Sequence, residues 1–122
     1  MKTKKKTVVV GASPNPMRYS HRAVEMLKSH GHPVEAVGLR KGNIMGVDIQ
    51  TEQVAIPEVD TVTLYVGPKN QDGWKEYIKS LNPKRVIFNP GAENDEFASD
   101  LEKEGIEVEE ACTLVLLSMG SY

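Results

Sequence analysis

Residues 7–10 read Thr-Val-Val-Val and run directly into Gly11. Consecutive β-branched residues with no polar alternation fit a strand buried on both faces, the habit of a parallel sheet. Parallel strands cannot be joined by a tight hairpin, so the chain after Gly11 has to cross over the sheet, usually as a helix. One short segment therefore predicts a layered α/β domain, and the rest of the chain agrees with it. Apolar runs at 34–39, 61–66, 85–88 and 106–108 alternate with helical patterns.

The first helix follows Ser20 as its expected N-cap, places Ala23, Val24 and Leu27 on one face, and stops at Gly31. A second helix has Trp74, Tyr77, Ile78 and Leu81 at i, i+3, i+4 and i+7, with Asn70 or Asp72 as its cap. A third begins after Asn94, turns Phe97, Ala98 and Leu101 inward and ends at Gly105; residues 113–119 predict a last helix against the sheet edge. Residues 44–56, with Gly46 and scattered apolar positions, read as a connector with at most short local structure. The expectation is a single Rossmann-like doubly wound domain over residues 1–122 with a five-stranded parallel sheet. Its strand order is either 3-2-1-4-5 or 2-1-3-4-5.

A chain of 122 residues has room for one such domain. Fifteen Lys and Arg against 17 Asp and Glu give a formal net charge of −2, which argues against a basic nucleic-acid surface. The single cysteine, Cys112, excludes an internal disulfide framework and a cysteine-rich zinc site. No apolar stretch approaches a membrane span. The lysine-rich start reads as a solvated lead-in to the first strand, not as a signal peptide, so a cytoplasmic protein is expected.

In a doubly wound sheet, ligands bind beyond the carboxyl ends of the strands. That places residues 11–20, 39–43, 66–69 and 89–94 around one site. Gly11 lets the backbone approach a phosphate, and the following helix offers free N–H groups and the positive end of its dipole. The segment Gly11-Ala12-Ser13-Pro14-Asn15-Pro16 lacks the second and third glycines of the dinucleotide fingerprint, but Ser13, Arg18 and Ser20 supply donors for an anion. After the second strand an NAD site wants an acid. Here Leu39 is followed by Arg40 and Lys41, which suit a phosphate on the adenosine ribose, as in NADP or coenzyme A.

These residues resemble the small CoA-binding domain proteins, stand-alone relatives of the N-terminal domain of the succinyl-CoA synthetase alpha subunit. The likeness rests on Val10-Gly11-Ala12-Ser13 with Pro16, Arg18 and Ser20, on Lys41, on Gly46, on Ile56-Pro57-Glu58-Val59-Asp60, and on the ending from Gly105 to Cys112. It implies a Rossmann-like fold that binds coenzyme A or an acyl-CoA. It assigns Gly11, Ala12 and Ser13 to the phosphate turn, Arg18 and Ser20 to the diphosphate, and Lys41 with Arg40 to a further phosphate; Val66 and Gly91 complete the expected ligand set. The chain departs from those relatives at Leu39-Arg40, at Tyr65-Val66-Gly67-Pro68, and at Asn89-Pro90 before the matching Gly91.

No catalytic constellation is evident. His30 and His32 flank the glycine stop of the first helix, where a histidinium suits the helix carboxyl end. His21 adjoins the turn. Cys112 lacks a neighbouring base, and Glu93, Asp95 and Glu96 complement a helix start better than they would hold a metal. The expectation is ligand binding without catalysis. The alternatives are a subunit of a ligase-like or NADP-dependent enzyme completed by a partner chain, and a scaffold that has lost its ligand. The alternative for residues 113–119 is a homodimer interface instead of cover for the sheet.

Overall fold

The computed structural model describes residues 4–122. Seven strands form one sheet: β1 (Thr7–Val10), β2 (Val34–Val37), β3 (Asn43–Ile44), β4 (Val47–Gln50), β5 (Thr61–Leu64), β6 (Arg85–Phe88) and β7 (Glu107–Glu110). Four helices accompany them: α1 (Tyr19–Ser29), α2 (Lys75–Ser80), α3 (Asp95–Lys103) and α4 (Thr113–Ser118). The spatial order is β3-β4-β2-β1-β5-β6-β7, parallel throughout except for the β3–β4 pair.

The expectation of five parallel strands is corrected here. The supposed connector contains β4 and is preceded by β3, and the two form a hairpin in which Ile44 opposes Val47. Met45 and Gly46 both adopt positive φ, 50° and 88°, as the mirror-image turn of a two-residue hairpin requires. Asn43 supports this turn through its side chain, accepting from the Gly46 N–H at 3.0 Å and donating to Asp48 at 2.8 Å. The hairpin escapes a sequence reading because methionine rarely occupies left-handed backbone. Of the two orders offered for the five expected strands, 3-2-1-4-5 is not found, because the third of them, β5, pairs with β1 and not with β2. The five expected strands lie 2-1-3-4-5, and with β4 the six parallel strands lie 3-2-1-4-5-6.

The helices divide between the two faces. Val9, Ala36 and Ile49 pack with Val24 and Leu27 of α1 and Leu117 of α4. Val8, Val10, Val62, Leu64, Val86 and Phe88 pack with Tyr77 and Ile78 of α2 and Phe97 and Leu101 of α3. Thus α4 lies beside α1 on one face, not at the sheet edge, and Thr7–Val10 is buried at all four positions, as its β-branched run requires. Trp74, Tyr77, Ile78 and Leu81 are all buried, as their spacing predicts. Neither Asn70 nor Asp72 caps α2, however. Trp74 occupies the cap position, a single 3₁₀ turn at Pro68–Asn70 precedes it, and Asp72 instead pairs with Lys75 at 3.0 Å. Asn94 does cap α3, accepting from the Phe97 N–H at 3.1 Å. No helix among the described residues is long and apolar enough to cross a membrane.

Candidate functional site

Strands β1 and β5 are neighbours, but the helices that follow them cover opposite faces: α1 one, α2 the other. The two connections diverge and leave a crevice at the carboxyl ends of the strands, the usual ligand position in an open α/β sheet. A cleft of about 650 Å3 lies there. Its walls are residues 11–15, Arg18, Tyr19 and Ser20 from the first loop and helix start, Leu39 and Arg40 after β2, Tyr65 to Gly67 after β5, then Asn70, Trp74 and Pro90.

Three glycines make this packing possible. Gly11 has φ +91°, and a Cβ there would come within 3.0 Å of Val66 Cγ2, so the first loop and the β5 loop can touch only over a glycine. Gly38 sits against the first loop even more tightly, since its Cβ would lie 2.1 Å from the Ala12 carbonyl oxygen. At Gly42 a Cβ would lie 2.6 Å from Pro14 Cβ. Gly38 and Gly42 were invisible as site residues in the sequence because the backbone they accommodate is 26 to 28 residues away.

The amide accounting of the first loop separates shape from recognition. The N–H groups of Gly11 and Ala12 both donate to the Val37 carbonyl, at 2.9 and 3.0 Å. They are spent on holding the turn and are not free for a ligand. Ser13 N–H, and those of Tyr19, Ser20 and His21 in the first turn of α1, have no acceptor among the described residues. Ser13 Oγ accepts from Asn15 N–H at 3.1 Å, which leaves its hydroxyl proton available. Ser20 is not the N-cap. The helix begins two residues earlier, Arg18 holds the cap position with extended backbone and no side-chain cap, and Ser20 is buried within the first turn. The expected cap failed because the two-proline loop, braced by Asn15 accepting from Met17 N–H and Arg18 N–H, turns the chain early.

No acidic residue stands in the first turn of α1. A cation at the positive end of a helix is unfavourable unless an anion joins it. Arg18 lies there, exposed, and among the described residues neither Arg18 nor Arg40 takes part in an ion pair. Arg40 borders the cleft, whereas Lys41 is exposed and outside its lining. Val66 lines the cleft; Gly91 does not, although Pro90 beside it does. Leu39, Tyr19 and Met17 are exposed apolar residues in this neighbourhood, with Leu39 84% accessible.

Behind the cleft one buried amide has both of its donors and its carbonyl oxygen paired. Asn89 is buried, donates to Thr63 Oγ1 at 2.7 Å and to the Leu64 carbonyl at 3.0 Å, and accepts from Thr113 N–H at 2.9 Å. Tyr65, whose side chain forms part of the cleft wall, has its hydroxyl enclosed beside Thr63 and Thr113 without a well-formed hydrogen bond. Burial pushes this phenol well above its ordinary range, so it is neutral. His21 Nδ1 lies 3.0 Å from the Ser13 carbonyl and braces the loop. His30 meets the Met26 carbonyl at the end of α1, while His32 accepts from Lys5 N–H at 2.9 Å. Cys112 is a free thiol at the cap of α4. No cluster suited to a metal ion occurs among the described residues. A second cavity of about 490 Å3, between Lys4, Lys5, His30, His32, Leu117 and Tyr122, lies at the amino ends of β1 and β2, away from the crossover.

The fold is an open, doubly wound α/β domain with a cleft at the carboxyl ends of its strands. Residues 5–118 match the CoA binding domain, and the chain belongs to that family. It is similar over 99% of its length to the whole of a crystallised uncharacterized protein, with 50% identity and a TM-score of 0.96. A hypothetical protein from Pyrococcus horikoshii OT3 shares 25% identity and a TM-score of 0.84, over 95% of this chain and 83% of that one. The fold also recurs, at 19% identity and a TM-score of 0.72, in a quarter of the dinucleotide forming acetyl-coenzyme A synthetase 1 of Ca. Korarchaeum cryptofilum, over 88% of this chain. No curated protein matches the sequence.

Proposed function

We propose that the chain binds coenzyme A or an acyl-CoA in this cleft and holds it without transforming it. The observation that carries the reading is the charge and donor arrangement of the lining: among the described residues two arginines outside any ion pair, unspent N–H groups at Ser13 and the start of α1, and no carboxylate along the cleft. A dianionic diphosphate satisfies all of these at once. The diphosphate sits at Ser13 and the first turn of α1 with Arg18. The adenosine side lies over Leu39, where Arg40 meets the ribose phosphate. The pantetheine arm crosses the switch point towards Val66 and Pro90. Lys41 serves as an outer cation. The lining residues carry no imidazole, carboxylate or thiol; their side-chain hydroxyls are those of Ser13, Tyr19, Ser20 and Tyr65.

The volume, about 650 Å3, falls in the usual range of small-molecule sites, ~300–1,000 Å3. Calorimetric titration with coenzyme A, dephospho-coenzyme A and NADP tests the proposal. Arg40→Ala should weaken coenzyme A about tenfold, equivalent to ~1.4 kcal/mol, and leave dephospho-coenzyme A nearly unchanged. Absence of heat with coenzyme A at millimolar concentration rules the reading out, and tighter binding of NADP reassigns the ligand.

A further inference from the structure

Gln71 follows the 3₁₀ turn at Pro68–Asn70 and is completely buried. A glutamine amide has two N–H donors and one carbonyl acceptor, and a buried one is costly unless they are paired. Here the pairing reaches three separate pieces of chain. Nε2 donates to the Val66 carbonyl at 2.8 Å and to the Ala92 carbonyl at 2.7 Å, and Oε1 accepts from Asn94 Nδ2 at 3.0 Å. Asn94 is at the same time the cap of α3. One side chain therefore ties the loop after β5, the loop after β6 and the start of α3 together. Its own backbone carbonyl accepts from Trp74 N–H at 2.8 Å, which links this knot to the start of α2.

The two loops so joined form one end of the cleft: Val66 and Gly67 on one side, Pro90 on the other. At the strand ends Asn89 also joins the two, donating to the Leu64 carbonyl, but past that point the hydrogen bonds between the lips, among the described residues, are those of Gln71 to the Val66 and Ala92 carbonyls. We propose that Gln71 is the positioning residue that fixes the separation of these two lips, and that it sets affinity for the part of the ligand extending past the diphosphate. On the coenzyme A reading, on which this inference rests, that part is the pantetheine arm, an extended chain with two amides. The nucleotide end lies on the far side of the switch point, against residues that Gln71 does not touch.

Gln71→Met keeps the length and removes all three hydrogen bonds. Of these three Asn94→Ala removes only the one at Oε1, together with the cap bond to Phe97 N–H. Each variant is titrated with coenzyme A and with its nucleotide fragment, 3′-phosphoadenosine 5′-diphosphate. For Gln71→Met the expected result is a loss of tenfold or more in coenzyme A affinity with less than a threefold loss for the fragment. Asn94→Ala should show a smaller loss with the same preference, and it decides the matter if Gln71→Met does not fold. A residue that merely supported the fold would weaken both ligands alike. Equal losses, or no loss, overturn the role of Gln71 while leaving the coenzyme reading intact. A wild-type chain that binds neither ligand overturns the coenzyme reading and this role with it.

Discussion

Replacing Gly38 by alanine is the most direct probe of how the cleft is assembled. Gly38 has no unusual φ, so the substitution adds no backbone strain of its own and the effect is purely steric. The new Cβ would lie 2.1 Å from the Ala12 carbonyl oxygen and 3.1 Å from its carbonyl carbon. A comfortable carbon–oxygen approach is ~3.3 Å, so backbone must move by about an ångström. Overpacking of that kind costs about 1–3 kcal/mol, and the stiffer unfolded chain returns ~0.4–1 kcal/mol of it. A net loss of about 1–2 kcal/mol is expected from urea unfolding followed by far-ultraviolet circular dichroism. Gly73→Ala is the matched control, because nothing lies within 4 Å of its Cβ and no left-handed φ is involved. It should stay within about 0.5 kcal/mol of the parent. Since the piece displaced by Gly38→Ala is Ala12 with Ser13, coenzyme A affinity should fall about tenfold as well. A Gly38→Ala protein as stable as Gly73→Ala, with unchanged affinity, would refute the claim that these loops interlock through backbone contact.

Other consequences are as readily measured. Asn89→Leu strands the Thr113 N–H, while the Leu64 carbonyl keeps the Asn89 N–H at 3.3 Å, so at ~1–3 kcal/mol per orphaned group a loss of about 1–3 kcal/mol is expected by denaturation; a neutral result contradicts the pairing scheme. Burial, with His30, Lys5 and Arg85 adding to it and Asp60 opposing, holds His32 below the ordinary imidazole value. The unfolded chain then binds the proton more readily. The His32 contribution is complete above pH ~6.5 and is lost as pH falls below it. His32→Gln should therefore flatten the stability profile between pH 7.5 and 5, and parallel profiles would count against the assignment. Arg18→Ala should weaken coenzyme A and dephospho-coenzyme A equally, by about three- to tenfold, because both carry the diphosphate; selectivity between them would place Arg18 elsewhere.

Much of the fold was legible because local chemistry and tertiary role coincide. Thr7–Val10 had to be a doubly buried strand, the spacing from Trp74 to Leu81 had to be a packed face, and Asn94 stands at the start of the next apolar face with the chemistry of a cap. The errors share a cause. Met45 bears a left-handed turn that its side chain does not advertise, so β3 and β4 were hidden. Ser20 has the chemistry of a cap, but tertiary packing draws it into the helix. At the site, the loops around Gly11, Arg40 and Val66 followed from topology. Gly38, Gly42 and Gln71 did not, since each serves a segment far away in sequence. Nor could composition show that the Gly11 and Ala12 amides are already spent on Val37.

The outer strand β7 reads Glu-Val-Glu-Glu, and it ends the sheet with one row of backbone groups unpaired. Such a row invites strand addition by another chain, and carboxylates are one of the devices that deter it. At neutral pH two copies meeting edge to edge here would set acidic side chains against each other. The deterrent acts through charge, which dissolved salt screens, whereas the backbone template beneath it is untouched by salt. High ionic strength should therefore favour self-association along this edge while the core stays intact, so the solubility of this protein should fail from its rim inward.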